Sequence, residues 1–332
     1  MHESRHTRRL RVFLVAGAVI SFFALSWLPA LAQVFPDRVI RVIVPWPAGG
    51  TADILTRVVT QQLTEKFSQG VIVDNRPGAN SIIGTAAAAK STPNGYTLLS
   101  ASVETSSLNP HVYLKLPYDP SNAFVPIAPV ARSPYVIAGR SGLPSETLKD
   151  LTALLKSQPD KHTYGSWGIG SVAHVGMEMI IGKAGLNVLH VPFNGGPPAY
   201  SALVGGQIDM IVLPAGMAPG LRSEGKIKVF AVTTANRFWG MADVPTLKEQ
   251  GHDVELAQVI GFMAPANTPR AIVELLHAKI NEILARSDVQ ATLKARNAEV
   301  MLLSREEYAA FLRSELARWG EVIRRANIKI DK

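Results

Sequence analysis

Residues 39–53 have the sequence VIRVIVPWPAGGTAD, and this stretch decides the fold class. Its first part, Val39–Val44, is a nearly continuous β-branched run that predicts a strand covered on both faces, as in parallel sheets. Gly49 and Gly50 turn the chain, and Thr51 is placed to cap a helix that we expect to reach about Phe67. Strand, glycine turn and helix in this order predict an α/β fold with largely parallel sheets.

The same alternation of strand and helix continues along the chain. We expect further strands near Val71–Val73, Tyr96–Ser100, His162–Gly165, Val188–Val191, Ile208–Leu213 and Lys228–Thr233. We expect further helices over Ser81–Lys90, from Ser145 to Leu155, over Ser171–Lys183 and Pro197–Val204, after Thr268-Pro269, and after a capping box of Ser304 with Glu307. In such sheets ligands bind beyond the carboxyl ends of the strands, so the loops that follow strands are the candidate site.

The N-terminus predicts export. Arg5, Arg8, Arg9 and Arg11 precede an uncharged run from Val12 to Pro36, and Ala30-Leu31-Ala32 matches the small-x-small pattern of a cleavage site. We therefore expect residues 1–32 to be a signal peptide and the mature chain to be periplasmic. An uncleaved membrane anchor is the alternative, because the apolar run is slightly long for a leader.

Composition excludes several classes of site. The chain has no cysteine, so disulfides, thiolate metal sites and cysteine nucleophiles are excluded. With 47% hydrophobic residues, the roughly 300 residues after the leader are enough for two domains with their own cores. Of the net charge of +8, the predicted leader supplies +3, from four Arg and one Glu; the lysines and arginines behind the remaining +5 are dispersed, which predicts a mild attraction for anions and no nucleic-acid partner. We expect no cofactor and no metal.

Four loops after predicted strands combine glycines, small hydroxyls and tryptophans. They cover Pro45–Asp53, Ser100–Ser107, Gly165–His174 and Val191–Ala199. Glycines before a helix let main-chain N–H groups approach an anion, and short hydroxyls add neutral donors. We take Asp53 as a first-turn helix charge and not as a ligand contact. The candidate ligand-binding residues are Trp46, Gly49, Gly50, Thr51, Ser100, Ser102, Ser166, Trp167, Gly170, Ser171, His174, Asn194, Gly195 and Pro214.

Other interpretations of these loops stay open at this point. Each glycine turn is also compatible with a plain strand-to-helix connection, and residues 168–173 match a dinucleotide pattern without its downstream acid. His174 and Glu178 are spaced to touch a metal but lack a third ligand. A periplasmic hydrolase of carboxylate esters or amides would need Ser166 or Ser171 beside His174. The chain has no HExxH, Walker lysine or serine elbow, which favours binding over catalysis.

A series of short motifs carries a family resemblance. It comprises Val44–Gly50, Asp74–Ala79, Pro93–Leu99, Leu116–Pro120, Gly165–His174, His190–Gly195, Gly205–Asp209, Asp243–Thr246 and Ala264–Pro269, spread over nearly all of Pro36–Lys332. In these motifs the chain resembles the Bug-type receptors, the extracytoplasmic substrate-binding proteins of tripartite tricarboxylate transporters. The resemblance implies a solute receptor that delivers a small carboxylate to membrane transporter subunits, or that serves a sensor.

The resemblance also implies an architecture and a mode of binding. It implies a periplasmic-binding-protein (Venus-flytrap, type II) fold of two α/β domains with crossovers near Arg132 and Thr234. Domain 1 is then 33–131 plus 235–332, domain 2 is 132–234, and the receptor is expected to be a monomer. The ligand carboxylate is held by main-chain amides, small hydroxyls and ordered water from Trp46, Gly49 and Gly50 on one side. On the other side the implied residues are Ser166, Gly170, Ser171, His174, Asn194 and Gly195.

Two segments depart from the family pattern. Val259-Ile260-Gly261 stands where the family often has a tryptophan before the glycine, and Ser-Ala-Ser-Val-Glu-Thr follows Leu99 in place of a loop with glycine and threonine. Trp46 and Trp167 together can sandwich a planar ring. The sequence therefore favours an aromatic mono- or dicarboxylate over citrate-like acids.

Overall fold

The computed structural model describes residues 35–325. The predicted signal peptide and its cleavage site lie outside the described residues. From Arg38 onward the described residues belong to one compact unit. No helix among residues 35–325 is long and apolar enough to cross a membrane.

One group of parallel strands is built from the N-terminal third of the chain. Its strands are β1 (Ile40–Val44), β2 (Val71–Asn75) and β3 (Thr97–Ala101), with β1 in the middle. Helices α1 (Thr51–Phe67) and α2 (Ile82–Ala89) connect these strands. A π-helical turn (Glu104–Leu108) and the short α3 (Asn109–Val112) follow β3. The prediction that residues 39–67 form a strand, a glycine turn and a helix is confirmed.

A second group of parallel strands is likewise connected by helices. Its strands are β5 (Thr163–Ser166), β6 (Leu189–Pro192) and β7 (Met210–Pro214), with β5 in the middle. The helices of this group are α4 (Leu148–Ser157), α5 (Val172–Ala184), α6 (Gly196–Val204) and α7 (Ala218–Ser223). Strand β8 (Ile227–Val232) completes it.

Two long strands link the groups, and they correct the expectation of largely parallel sheets. Strand β4 (Phe124–Arg140) pairs antiparallel with β9 (Ala257–Pro265) along its first part and with β7 and β8 along its last part. The central pairs are antiparallel because β4 and β9 are not members of strand–helix–strand units. The domain boundaries at 131/132 and 234/235 stay predictions.

The C-terminal segment packs against the first group. It contributes α8 (Arg270–Leu284), α9 (Ser287–Lys294), the short β10 (Glu299–Val300) paired to β4, and α10 (Arg305–Arg325). Tyr308 of α10 is buried against Ile43, Leu99 and Met263. The capping box is confirmed, because Ser304 N donates to Glu307 Oε2 and Glu307 N donates to Ser304 Oγ, at 2.8 and 3.2 Å.

Three predicted helix caps were wrong by one or two positions. Gly50 occupies the N-cap of α1, so Thr51 is its first helical residue and caps nothing. Thr147 caps α4 in place of Ser145, because Thr147 and Asp150 form a reciprocal capping box. Pro269 precedes α8, and the Thr268 hydroxyl donates instead to the carbonyl of Pro265 at 2.7 Å.

Candidate ligand-binding site

A cavity of about 510 Å³ lies where the carboxyl ends of the two groups of parallel strands face each other. This volume is within the range of small-molecule sites, roughly 300–1,000 Å³. Its walls come from the loops after β1, β2, β5 and β6, and from the residue after α3. The lining residues are Trp46, Pro47, Pro77, Gly78, Ala79, Asn80, Tyr113, Trp167, Gly168, Ile169, Pro192, Phe193, Asn194 and Gly195.

The loop after β2 has an unusual backbone. Gly78, Ala79, Asn80 and Ser81 have successive φ values of 127°, 45°, 48° and 74° immediately before helix α2. Non-glycine residues in this region store strain, which persists only where the surrounding structure requires it. Within residues 35–325 the main-chain N–H groups of Ala79 and Asn80 have no acceptor. The strained loop therefore presents neutral donors on the cavity wall.

The side chain of Asn80 is fixed by Asn109. Its Nδ2 donates to Asn109 Oδ1 at 2.8 Å, and Asn109 Nδ2 donates back to the Asn80 carbonyl at 2.8 Å. Asn80 Oδ1 is buried and has no hydrogen-bond partner within the described residues. An orphaned buried acceptor on a cavity wall is a position where a ligand or water donor restores the lost hydrogen bond.

The loops of the second group of strands come close to those of the first group at two points. Tyr113 Oη donates to the carbonyl of Ile169 at 2.9 Å, and burial raises the pKa of Tyr113, which keeps the phenol protonated as a donor. Gly195, with φ of 106°, lies so close to Pro47 that an added Cβ would be 2.5 Å from the proline Cγ. Glycine is required at 195 by both conformation and space.

Trp46 and Trp167 line both this cavity and a smaller space of about 30 Å³, which we call the deeper space. Both side chains are largely buried, with exposed fractions of 8% and 6%. Trp167 stacks on Tyr135 with 5.6 Å between ring centroids and an interplanar angle of 26°. The walls of the deeper space are Trp46, Pro47, Gly50, Thr51, Ala52, Glu104, Tyr135, Trp167, Gly196, Pro197, Tyr200, Pro214 and Gln258.

The larger cavity is aromatic and uncharged. The rings of Trp46, Tyr113, Trp167 and Phe193 line it, and among the residues that the structure describes no Lys, Arg, His, Asp or Glu does. In the same part of the chain, polar contacts come from Asn80, Asn194, the Tyr113 hydroxyl and the main chain. Such a site holds an anionic group by neutral donors and an apolar body by rings.

Comparison with known proteins agrees with this arrangement. Residues 55–328 match the model of the TctC family, described as the tripartite tricarboxylate transporter family receptor. The chain belongs to this family. It is also 31% identical to protein BugT of Bordetella pertussis over 96% of this chain and 98% of that protein.

Solved structures of similar proteins share the fold of this receptor. The Rpa4515 protein of R. palustris, solved with adipate, has a TM-score of 0.86 and 29% identity over 89% of this chain and 99% of that one. MatC from Rhodopseudomonas palustris, solved with bound malate, has a TM-score of 0.83 and 28% identity over 87% and 100%. The predicted Venus-flytrap, Bug-type fold is confirmed, and the chain is a solute-binding receptor and not an enzyme.

The candidate residues predicted from sequence fall into three sets in the receptor. Trp46, Trp167, Asn194 and Gly195 line the larger cavity. Gly50, Thr51 and Pro214 line the deeper space together with the tryptophans. Neither space is lined by Gly49, Ser100, Ser102, Ser166, Gly170, Ser171 or His174. The assignment of any of these residues as ligand contacts stays a prediction.

Several residues of the third set form hydrogen bonds that fix the loops in which the residues of the first two sets lie. Gly49 N donates to Asp53 Oδ2 at 3.0 Å, which fixes the loop before α1. Ser102 Oγ accepts from Trp46 Nε1 at 3.3 Å, and Ser100 Oγ lies 2.6 Å from Thr56 Oγ1.

The glycine loop after β5 is held in a similar way. Ser171 Oγ caps α5 by accepting from His174 N at 3.3 Å, and Gly170 N donates to His174 Nδ1 at 3.1 Å.

The serine–histidine pair differs from the one that the hydrolase alternative required. Ser166 Oγ lies 2.7 Å from His190 Nε2 and donates to the Gly168 carbonyl at 3.0 Å. His174 instead accepts a hydrogen bond from the main-chain N–H of Gly170. Ser166 is fully buried and lines neither space. Burial, and next the adjacent His174, lower the pKa of His190 to about 3. The hydroxyl is therefore a structural link between β5 and β6, and the hydrolase interpretation is wrong because the family is a receptor family.

His174 and Glu178, whose spacing left a metal contact open as an alternative, have other partners. Glu178 accepts a hydrogen bond from the Tyr164 hydroxyl, and His174 Nδ1 accepts from Gly170. His174 and His190 stack with ring centroids 4.1 Å apart. Residues 35–325 contain no group of three or more His, Asp or Glu placed to hold a metal ion.

Sequence reasoning missed several lining residues on both sides of the cavity. Residues 77–80, Tyr113, Ile169 and Phe193 line it but were not among the candidates. A signal for 77–80 was present, since Pro77-Gly78 follows a predicted strand as the four chosen loops do. Tyr113 had no comparable signal, because it follows a short helix.

Proposed function

We propose that this receptor is exported to the periplasm, captures a small aromatic mono- or dicarboxylate in the 510 Å³ cavity, and delivers it to membrane subunits of a tripartite transporter. The observation that carries the proposal is the lining itself. Four aromatic rings line a cavity whose described lining residues are uncharged and whose donors are amides and the Tyr113 hydroxyl. Similar receptors were solved with adipate and malate, both carboxylates.

The ligand carboxylate is held by neutral donors. The donors we assign to it are the main-chain N–H groups of Ala79 and Asn80 on one loop and of Ile169 and Gly195 on the opposite loops, none of which has an acceptor within residues 35–325. Preorganised amides bind an anion without the desolvation cost of a buried lysine or arginine. The rings of Trp46 and Phe193 bind the apolar body.

Closure of the two groups of loops buries the ligand. Tyr113 and Gly195 make contacts between the loops of the first group and those of the second, and a ligand between them adds contacts to both sides. Binding by hinge closure follows because only the closed form surrounds the ligand. The closed surface is then the form presented to membrane subunits.

Isothermal titration calorimetry on protein purified from the periplasm of an expression host tests this proposal. We expect benzoate-type acids to bind more tightly than cyclohexanecarboxylate, which has the same charge without the flat ring. Trp46→Ala should remove this preference, and Trp239→Ala, an exposed tryptophan outside the cavity, should not. Failure of every aliphatic and aromatic carboxylate to bind would overturn the proposal.

Mass spectrometry of the same preparation tests the export step. An intact mass that starts at Gln33 is expected if cleavage follows Ala32. A mass that includes residues 1–32, recovered from the membrane fraction, would contradict export as a free receptor.

A further inference from the structure

The carboxylate of Glu104 lies behind both tryptophans of the site. Glu104 begins the π-helical turn after β3 and has an exposed fraction of 2%. Its Oε1 accepts from Trp167 Nε1 at 3.0 Å and from Val172 N at 3.5 Å. Its Oε2 accepts from Ser102 Oγ at 2.8 Å, and Ser102 in turn accepts from Trp46 Nε1 at 3.3 Å. One buried acid thus connects the two rings that line both the cavity and the deeper space.

The negative charge of Glu104 has no cationic partner. Within residues 35–325 this carboxylate makes no ion pair with Lys, Arg or His, and its hydrogen bonds come only from the indole, amide and hydroxyl donors above. A buried carboxylate is costly unless it is compensated. Its field therefore reaches the adjoining cavity, where no cationic side chain screens it.

The deeper space beside Glu104 also has unmet hydrogen-bonding capacity. Tyr135 Oη and Gln258 Oε1 are buried without a partner among the described residues, and both side chains line that space together with Glu104. Its volume of about 30 Å³ accommodates a single small polar group or one water molecule. The Glu104 carboxylate and the unpaired Gln258 carbonyl oxygen favour a hydrogen-bond donor there and oppose an anion, whereas the Tyr135 hydroxyl can either accept from or donate to a neutral polar group.

We infer that Glu104 determines which ligands the cavity accepts: one carboxylate in the outer part, and a neutral or cationic group, not a second carboxylate, at the end that faces Trp46 and Trp167. The inference rests on the proposed function, which supplies the outer carboxylate. The amides of Ala79, Asn80, Ile169 and Gly195 lie on the walls of the larger cavity, whereas Glu104 lines only the deeper space. The two ends of the ligand therefore meet opposite electrostatic environments.

The size of the discrimination follows from Coulomb's law. Two like charges about 8 Å apart, at an effective dielectric constant of about 20, repel by an amount equal to roughly a 30-fold change in affinity. Partial solvation of the cavity reduces this, so we expect a factor on the order of 10 between matched ligands that differ only in the second charge.

Three para-substituted probes with the same ring test the inference by calorimetry: benzoate, benzene-1,4-dicarboxylate and 4-(aminomethyl)benzoate. The receptor is expected to bind the first and third about 10-fold more tightly than the dicarboxylate. Glu104→Gln retains the shape and a carbonyl acceptor but removes the charge. It should raise the affinity for the dicarboxylate relative to benzoate by about 10-fold and lower that for the ammonium probe.

Two variants separate charge from structure. Ser102→Ala breaks the link to Trp46 but keeps the charge of Glu104, so it should change the affinity for all three probes by a similar factor. Glu306→Gln makes the same net charge change at an exposed position in α10 and should leave all three unchanged.

The outcomes distinguish this inference from the proposed function. If the wild-type receptor binds the dicarboxylate as tightly as it binds benzoate, this measurement alone overturns the inference. It is also overturned if folded Glu104→Gln leaves the ratio of the two affinities unchanged. In both cases carboxylate binding itself stands. If none of the probes and no other carboxylate binds, the proposed function fails as well.

Discussion

The hydroxyl of Tyr113 donates a 2.9 Å hydrogen bond to the main-chain carbonyl of Ile169. The donor follows helix α3 beside the first group of strands, and the acceptor is in the glycine loop after β5 of the second group. Both residues line the larger cavity. This bond joins the loops of the two groups of strands, and under the proposed closure we expect it to support the form that encloses the ligand.

Removal of this bond should weaken ligand binding. Tyr113→Phe keeps the ring on the cavity wall and leaves the Ile169 carbonyl without its donor, which costs about 0.5–1.5 kcal/mol, or roughly a 2- to 12-fold higher Kd. Surface plasmon resonance should show the change mainly in the dissociation rate. Tyr308→Phe is the matched control, because Tyr308 of α10 is buried against Ile43, Leu99 and Met263 and lines neither space. Equal Kd values for wild type and Tyr113→Phe would show that the bond does not support closure.

A second prediction uses the contact of Gly195 with Pro47. Gly195→Ala places a Cβ 2.5 Å from Pro47 Cγ at a φ of 106° that L-residues rarely adopt, so the two loops must separate. Overpacking of this kind costs about 1–3 kcal/mol, which corresponds to roughly a 5- to 150-fold loss of affinity if it acts on the closed form.

The control for this substitution is another glycine-to-alanine change. Gly182 lies in helix α5 with no atom within 4 Å of an added Cβ, so Gly182→Ala should stabilise the fold by about 0.4–1 kcal/mol and leave Kd unchanged. If Gly195→Ala unfolds the protein instead of weakening binding alone, the close approach is part of the stable fold and not of closure.

The sequence predicted which loops line the cavity, but it did not predict the buried carboxylate of Glu104. Strands rich in valine and isoleucine followed by glycine predict which loops share an edge, and Trp46, Trp167, Asn194 and Gly195 do line one cavity. Glu104 was noted only as part of a loop of short hydroxyls. Glutamate is almost never fully buried, and its burial here depends on Trp167, 63 residues further along the chain.

Strand β4 shows a second limit of sequence reasoning. It extends over Phe124–Arg140 although it contains Pro126, Pro129 and Pro134, residues that normally exclude a central strand. The register shifts between Pro126 and Ala128 and between Pro129 and Ala131 accommodate two of these prolines as irregularities. Local propensity argues against this strand, and its pairing with β9, β7 and β8 stabilises it.

A third prediction concerns the loop before helix α1. The Asp53 carboxylate, 3% exposed, accepts from Gly49 N, Arg57 Nε and Asn75 Nδ2 at 2.9–3.0 Å. Asp53→Ala removes these charge-assisted bonds and should lower the free energy of unfolding by about 1.5–3 kcal/mol in urea denaturation.

Asp288→Ala is the matched control, since Asp288 is also a first-turn helix aspartate paired with an arginine, Arg286, but is exposed. It should lower the free energy of unfolding by less than about 1 kcal/mol. Similar losses in the two variants would mean that Asp53 acts only as a helix-terminal charge.

The last prediction concerns acid stability, and it follows from the stacked histidines. Burial lowers the pKa of His174, and burial together with His174 lowers that of His190 from 6.5 to about 3. Below pH 6.5 the unfolded chain therefore binds protons that the folded chain does not. The stabilisation is complete above pH 6.5 and is lost as the pH falls toward 3. Tyr164 and Glu178 face the same pair, and Glu178 moderates the shift at His174 alone.

Urea denaturation at pH 7.0 and at pH 5.0 measures this loss. That interval lies above the ordinary pKa of 3.8 for aspartate, so histidines dominate the change. His190→Gln removes one titrating ring but keeps a side chain able to hydrogen bond with Ser166, 2.7 Å from His190 Nε2 in the wild type. The wild type should lose more stability over the interval than the variant does. Equal losses would mean that His190 takes up a proton in the folded receptor as readily as in the unfolded chain, and its burial between Tyr164 and His174 would then not be the cause of acid sensitivity.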